Sequence, residues 1–298
     1  MNNRDTFSGY HPIINFFYFL LVLAFSMFFM HPICLAISLI CALSYNIYLN
    51  GRKAIRFGLL YMLPLMLLTM VVNPAFSHEG VTILAYLPSG NPLTLESIAY
   101  GIASSLMLVS VITWFSCFTA VITSDKFVYL FGRIIPALSL VLSMTLRFVP
   151  RFISQIKIVS ESQRCIGRDV SDGNVIRRVR NGITILSIMV TWSLENAIET
   201  ADSMKSRGYG LPGRSAFSIY RFDKRDLKAL CFLAGCGAYI LAGQFAGALY
   251  WRYYPSLKGV GAGIYPATVF AAFMVLCLMP ILLNIMEDRK WKHLRSAI

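Results

Sequence analysis

The sequence predicts an all-α polytopic membrane protein with about six transmembrane helices and a central cytoplasmic pair of long amphipathic helices. Three observations predict it. Hydrophobic residues make up 57% of the 298 positions and charged residues 14%, against roughly a quarter charged in a soluble domain. Whole runs such as Ile13 to Met30 contain no charged residue, as hydrocarbon requires. The polar chemistry is also segregated: 17 of the 27 Lys and Arg and nine of the 14 Asp and Glu lie from Asp125 to Lys228.

The spans fall at Ile13 to Met30, Ile33 to Leu49, Phe57 to Val72, Leu95 to Ile122, Ala229 to Leu249 and Ile264 to Met286, each near the ~20 residues that cross a bilayer core. His11-Pro12 and His31-Pro32 mark span boundaries, and two such histidines without further ligands make no metal site. The first run lacks a small-residue cleavage site, so it is expected to stay as an anchor. Arg52, Lys53 and Arg56 follow the second span, the basic stretch follows the fourth, and Arg289, Lys290, Lys292 and Arg295 follow the sixth. These clusters fall on one side, the cytoplasm, with both termini. The loop from Asn73 to Asn91 has no Lys or Arg, and Tyr250 to Gly263 has only Arg252 and Lys258; both are expected outside. The expected organisation is residues 1–123 with spans one to four, 124–227 as a cytoplasmic region, and 228–298 with two closing spans and a basic tail.

Two further apolar stretches, Ile134 to Leu146 and Ile183 to Leu194, are too short for comfortable spans. Counting them as crossings would put the charge-dense residues around Gln163 to Arg180 outside, against the positive-inside rule. They are assigned to the cytoplasmic side. The central region then reads as two amphipathic helices. Phe148, Phe152, Ile156 and Val159 recur at three- and four-residue steps in the first, with Arg147, Arg151 and Lys157 off that stripe. The second starts near Val175, with Val179, Ile183, Leu186 and Val190 on its apolar side and Glu195, Glu199 and Asp202 as an acidic row. Asp169, Ser171 and Asp172 are turn or cap residues between Gly167 and Gly173, and Gly208-Tyr209-Gly210-Leu211-Pro212-Gly213 stops the second helix.

The net charge of +13 is explained by orientation and lipid contact, so no nucleic-acid partner is expected. The seven cysteines show no paired metal-ligand spacing and read as small apolar residues.

A helix end that docks into a groove benefits from one guanidinium, whose fork holds a carboxylate or carbonyls, and from a glycine that ends the helix and lets a partner backbone approach. Arg207-Gly208 supplies both. An ordinary C-terminal arginine answering the helix dipole before a glycine cap would look the same. The surroundings decide. Arg147-Phe148-Val149-Pro150, Gln163-Arg164 and Glu199 through Asp202-Ser203-Met204-Lys205-Ser206-Arg207-Gly208-Tyr209-Gly210 resemble the transmembrane T components of energy-coupling-factor (ECF) importers, the CbiQ-like family. The order of spans, central pair and closing spans matches that family over most of the chain.

The resemblance implies a non-catalytic subunit that binds no cofactor itself. It implies that two ABC-type ATPases, identical or different, use ATP, and that a membrane-embedded S component binds a vitamin or transition-metal ion. The family carries Ala-Arg-Gly at the ends of two coupling helices. The second is present as Ser206-Arg207-Gly208. At the first, Cys165-Ile166-Gly167 stands in its place without an arginine, leaving Arg164 or Arg168 to substitute. Arg147, Pro150, Arg151, Glu199 and Asp202 are expected to support the coupling helices, and Phe148, Phe152, Ile156 and Val159 to contact the S component or pack one coupling helix on the other. Glu195, Glu199 and Asp202 either orient Arg207, bind a partner, or form a solvated face. Arg147 and Arg151 grip lipid phosphate or a facing acid, or snorkel. Gly243 and Gly247 form a small-xxx-small step that packs within the bundle or against a partner.

The alternatives are the permease of another ABC importer, a self-contained secondary transporter, or a membrane enzyme. The spans offer no set of mid-membrane ionisable residues for coupling ions. Glu79 and Glu96 near an outer loop do not make a catalytic cluster.

Overall fold

The computed structural model describes residues 5–77, 79–86, 92–132, 136–171, 173–209, 211, 220–259 and 263–296, with the side chains of 136–139 and 291–296 outside that description. Asp172, Gly210, Pro212 and Gly213 lie outside the described residues. The helices are α1 (Pro12–Phe28), α2 (Pro32–Asn50), α3 (Arg52–Phe57), α4 (Leu63–Phe76), α5 (Leu95–Val121), α6 (Ser124–Gly132), α7 (Pro136–Cys165), α8 (Val175–Ser206), α9 (Lys224–Phe245) and α10 (Ile264–Ser296). The chain divides into two compact units, Met1–Lys126 with Tyr220–Ile298, and Phe127–Ile219.

The first unit is a multi-pass membrane bundle. α2, Arg52–Phe76, α5, α9 and Ile264–Lys290 are long and apolar enough to cross a membrane. The apolar α1, at 17 residues, sits at the lower edge of spanning length. α5 packs along α1, α2 and α4, while α10 packs on α2 and α9. Trp114, Tyr18, Phe19, Leu233, Phe273 and Leu276 are fully buried between them. Polar groups pair within this interior: Ser26 and Ser38 hydroxyls lie 2.6 Å apart, and Trp114 Nε1 donates to Ser38 Oγ at 3.0 Å. Without water in hydrocarbon, each unpaired group would cost several kcal/mol.

Each His-Pro pair starts a helix. The Nδ1 of His11 accepts from the Ile13 N–H at 3.3 Å and that of His31 from the Ile33 N–H at 3.3 Å. The proline after each histidine occupies the first helical position, where its missing N–H costs nothing.

Several boundaries differ from the hydropathy reading. Gly51, at φ +55°, turns the chain alone, so Arg52, Lys53 and Arg56 form the first turns of the third span rather than a loop. That helix passes through a π-helical segment at Gly58–Met62 before α4. Arg289 and Lys290 likewise extend α10. Long basic side chains reach interfacial water from helical positions, so a basic cluster does not mark a helix end.

Gly243 faces the bundle's own α10: a Cβ there would stand 2.8 Å from Val269 Cγ2. Gly247, with φ +80°, ends α9. The small-xxx-small step is therefore an internal contact followed by a cap. Two short antiparallel ladders, β1 (Ile83–Tyr86) with β2 (Pro92–Thr94) and β3 (Trp251–Arg252) with β4 (Lys258–Gly259), close the connections before α5 and α10. Glu96, almost fully buried, accepts from Thr82 N and Oγ1 and anchors the first of these; its role is structural.

At the opposite end, Lys126 is 5% exposed. Its Nζ donates to Ser8 O at 2.6 Å, Ser8 Oγ at 3.1 Å and Val121 O at 3.0 Å. With its amide oriented to suit both neighbours, Asn15 accepts from Lys126 at 3.1 Å and donates to Phe7 O at 2.9 Å. Burial pushes the Lys126 ammonium below its ordinary range, with nearby Asp5 opposing the shift. Asp5 in turn accepts from Tyr45 Oη at 3.0 Å and Asn284 Nδ2 at 2.6 Å.

Candidate functional site

The second unit is built on α7, of 30 residues, and α8, of 32. The short apolar stretches seen in the sequence are parts of these helices: residues 136–146 open α7, and Ile183 to Leu194 form the middle of α8. Pro150 lies inside α7. Neither helix combines the length with the unbroken apolarity of a span.

A small seam joins the pair. Val159, Ile185 and Met189 are buried together, with Phe152 and Trp192 packed against them. The Phe152 and Trp192 rings meet edge to face, 5.3 Å between centroids at 83°, a favoured aromatic geometry. The Arg151 guanidinium lies 5.7 Å over the same Trp192 ring, a cation–π contact. Arg147 is exposed. Within the predicted stripe, Phe152 and Val159 thus hold α7 to α8 and Phe148 is half-buried. The exposed Ile156 lines an open groove of about 290 Å³ with Phe152, Ile185, Leu186, Met189 and Val190. The apolar row of α8 named from the sequence, Val179, Ile183, Leu186 and Val190, is exposed throughout, and Val149 and Ile153 of α7 are exposed as well. The buried residues of α8 are instead Asn181, Ile185 and Met189, one or two positions from that row. A periodic pattern shows that an apolar face exists, but not which neighbour covers it.

The two helix ends share one geometry. At α7, the Arg168 N–H donates to Gln163 O and the Gly167 N–H to Arg164 O, both at 2.9 Å. At α8, the Tyr209 N–H donates to Met204 O and the Gly208 N–H to Lys205 O, both at 3.1 Å. Each is a Schellman cap with glycine in the left-handed position. The register makes Gly167 equivalent to Gly208, Cys165 to Ser206, Arg164 to Lys205 and Ile166 to Arg207. α9 ends with the same cap at Gly247, so the cap alone is not specific; the side chains it displays distinguish these two.

At the second end, Arg207 and Ser206 are exposed, and the Ser206 hydroxyl donates to Asp202 O at 2.9 Å. Glu199 and Asp202 are exposed and form no ion pair with Arg207; among the described residues the acidic row is a solvated face. At the first end, Arg164 Nε lies 3.4 Å from Asp169 Oδ2, while Arg168 is exposed. Hydrogen bonds from Ser171, with Arg164 assisting, hold the Asp169 carboxyl below the usual carboxylate range. The loop is tied further by Asn181 Nδ2 donating to Asp169 O at 2.8 Å and Arg178 Nε to Ser171 O at 2.9 Å. Among the described residues, no group of three or more His, Cys, Asp and Glu is placed to hold a metal ion.

The model of one protein family, described as CbiQ, cobalt transport protein, matches residues 11–218, well over half the chain. The chain belongs to the CbiQ family. The match takes in all of α7 and α8 and both capped ends. Similar curated proteins are energy-coupling factor transporter transmembrane proteins EcfT. That of Lactobacillus helveticus is 36% identical over 96 residues, 32% of this chain and 35% of the relative. That of Acidaminococcus fermentans is 32% identical over 154 residues, 48% of this chain and 58% of the relative. That of Bacillus selenitireducens is 26% identical over 230 residues, 72% of this chain and 84% of the relative. The match to the first of these spans about a third of that relative's length.

Sequence reasoning located the ends of this CbiQ-family chain's central helices but missed the Lys126 cluster and the Arg164–Asp169 pair. The second had a local signal, an acid five residues beyond a helix-terminal arginine. The first joins residues more than a hundred positions apart and had none.

Proposed function

We propose that the chain is the energy-coupling transmembrane component of an ECF-type ABC importer. It transmits the motion of two ABC-type ATPases to a membrane-embedded S component that binds a vitamin or transition-metal ion. The observation that carries this reading is the exposed Arg207 before the left-handed Gly208, at the end of a 32-residue amphipathic helix within the family-matched stretch. The chain is then a non-catalytic subunit of a plasma-membrane complex, with no cofactor of its own and both termini and the central unit in the cytoplasm. ATP is used by its partners.

ATP-driven closure and reopening of the two ATPases carries the helix ends with them, and the α7–α8 pair passes on the displacement. Work follows only if contact energies differ between the states. The exposed row of Val149, Ile153 and Ile156 with Val179, Ile183, Leu186 and Val190 fits an apolar membrane partner: loosely specific contact permits sliding and exchange. Phe152 and Val159 keep the pair together.

Purification in mild detergent with identification of every bound subunit tests the reading. Two ABC ATPase copies and a small membrane protein are expected. The isolated polypeptide moving a solute across liposomes unaided would overturn it.

A further inference from the structure

We infer that the groove at the start of the third span holds one anionic phospholipid, its phosphate between Arg52 and Arg56 and its acyl chains along Ile55, Leu59 and Leu60. These five residues line a groove of about 390 Å³, and all five are exposed. They follow the three- and four-residue spacing of one helix face, and among the described residues no second element closes the groove.

The span below it is short of protein neighbours. Of the apolar window of Arg52–Phe76, 6% is buried within the chain, against 33 to 39% in the four other long spans. α4 leans on α5, where a Cβ on Gly101 would stand 3.0 Å from Met70 O, but Leu67, Leu68 and Val71 are exposed. The polar end is equally unpartnered. Arg52, Arg56 and the adjacent Lys53 carry three positive charges, and among the described residues none of their side chains has a hydrogen-bond or ion-pair partner. Lys126 and Arg225 of the same unit are used internally: Lys126 donates to Ser8 and Val121, and Arg225 lies 4.2 Å over the Tyr10 ring.

One ligand class answers both ends of the groove. A guanidinium fork holds a phosphate through paired N–H donors, and Arg56, one turn after Arg52, brings a second fork to the same face. Ile55, Leu59 and Leu60 suit acyl chains and repel a hydrated ion. Free phosphate or an acidic soluble protein would satisfy the arginines and leave the aliphatic side chains unused. A zwitterionic lipid would bring its own cation against three others. A phospholipid with a net negative headgroup meets neither objection, and it gives the third span a neighbour that the chain does not supply.

Photo-crosslinking tests the inference. The full-length chain, purified with its accompanying subunits, is reconstituted into phosphatidylcholine vesicles. These contain a trace of phosphatidylglycerol with a photoreactive acyl chain, or of phosphatidylcholine carrying the same chain, and adducts are mapped by peptide mass spectrometry. Labelling of residues 55–63, relative to that of α10, should be about tenfold higher with the anionic probe and should survive added inorganic phosphate. Each cation near a membrane surface changes lipid affinity about fivefold. Arg52→Gln/Arg56→Gln should therefore remove the excess, whereas Arg289→Gln/Lys290→Gln, which takes the same charge from exposed positions of α10, should keep it. The comparison of probes in the wild-type chain needs no variant to fold. Equal labelling by the two probes, equal loss in both double variants, or displacement by phosphate would overturn the inference. So would cross-links from residues 55–63 to another polypeptide in place of lipid. None of these outcomes bears on the coupling function.

Discussion

Gly167 and Gly208 adopt the same left-handed backbone, +76° and +75° in φ, and each closes its helix with the same two hydrogen bonds. Neither is glycine merely for want of space: a Cβ at Gly167 would meet nothing within 4 Å, and one at Gly208 would meet only Leu211 Cδ1, at 3.2 Å. The requirement is conformational. Substituting valine at either should cost about 1–2 kcal/mol. Faster amide exchange in the last turn of the affected helix, with the rest of the unit unchanged, is the expected readout.

Arg207→Glu should leave the protein inserted yet abolish co-purification with ATPases. Losing a charge-assisted hydrogen bond alone costs about 1.5–3 kcal/mol, roughly 10- to 100-fold in affinity, and reversed charge adds repulsion. Pull-down from membranes checks this, and undiminished association would remove Arg207 from the coupling role.

The Asp169 carboxyl titrates below its unfolded value, chiefly because the Ser171 backbone N–H donates to it and secondly through its side-chain hydrogen bond, with Arg164 assisting. Its contribution is therefore present above the ordinary carboxylate range and is lost as pH falls through the lowered folded value. Amide exchange at Ser171, corrected for intrinsic pH dependence, should accelerate below about pH 4. Asp169→Asn should show faster exchange there at neutral pH.

Gly243→Val would drive side-chain atoms into Val269, where even a Cβ stands 2.8 Å from Cγ2. Overpacking of this kind costs about 1–3 kcal/mol. A lowered thermal midpoint in detergent is expected, with partial recovery in Gly243→Val/Val269→Ala. Failure of the second change to help would show that the clash is relieved elsewhere.

Single cysteines at Ser171 or Asn174, in a background stripped of the exposed Cys165 and Cys231, should react with impermeant thiol reagents only in inverted vesicles. Labelling in intact cells would place the connection between α7 and α8 outside.

The spans and the central helices were legible because hydrocarbon and amphipathic surfaces impose periodicities that single residues cannot disguise. Arg52, Lys53 and Arg56 gave the expected orientation but not the start of the third span, since a snorkelling cation is compatible with helix. The cap at Gly208 was legible from Arg-Gly alone. The equivalence of Ile166 with Arg207 was visible as an alignment, but only the matching hydrogen bonds at Gly167 and Gly208 fix the frame. The stripe from Phe148 to Val159 was correctly apolar, yet its division between the seam at Phe152 and Val159 and the open groove at Ile156 depends on where α8 lies. Lys126 looked like one more basic residue on a cytoplasmic segment. Its acceptors at Ser8 and Val121 come together only when the bundle closes.

That lysine has a mechanical meaning. The bundle unit ends at Lys126 and the central unit begins at the next residue, so tension travelling along the backbone from Phe127 reaches a side chain moored to the N-terminal turn, to α1 through Asn15, and to the last turn of α5. Under the proposed coupling function, load on this segment would be shared among these three anchor points. Lys126→Met should loosen that mooring and waste part of each stroke in local stretching, so that ATP turnover continues while less solute crosses per nucleotide consumed.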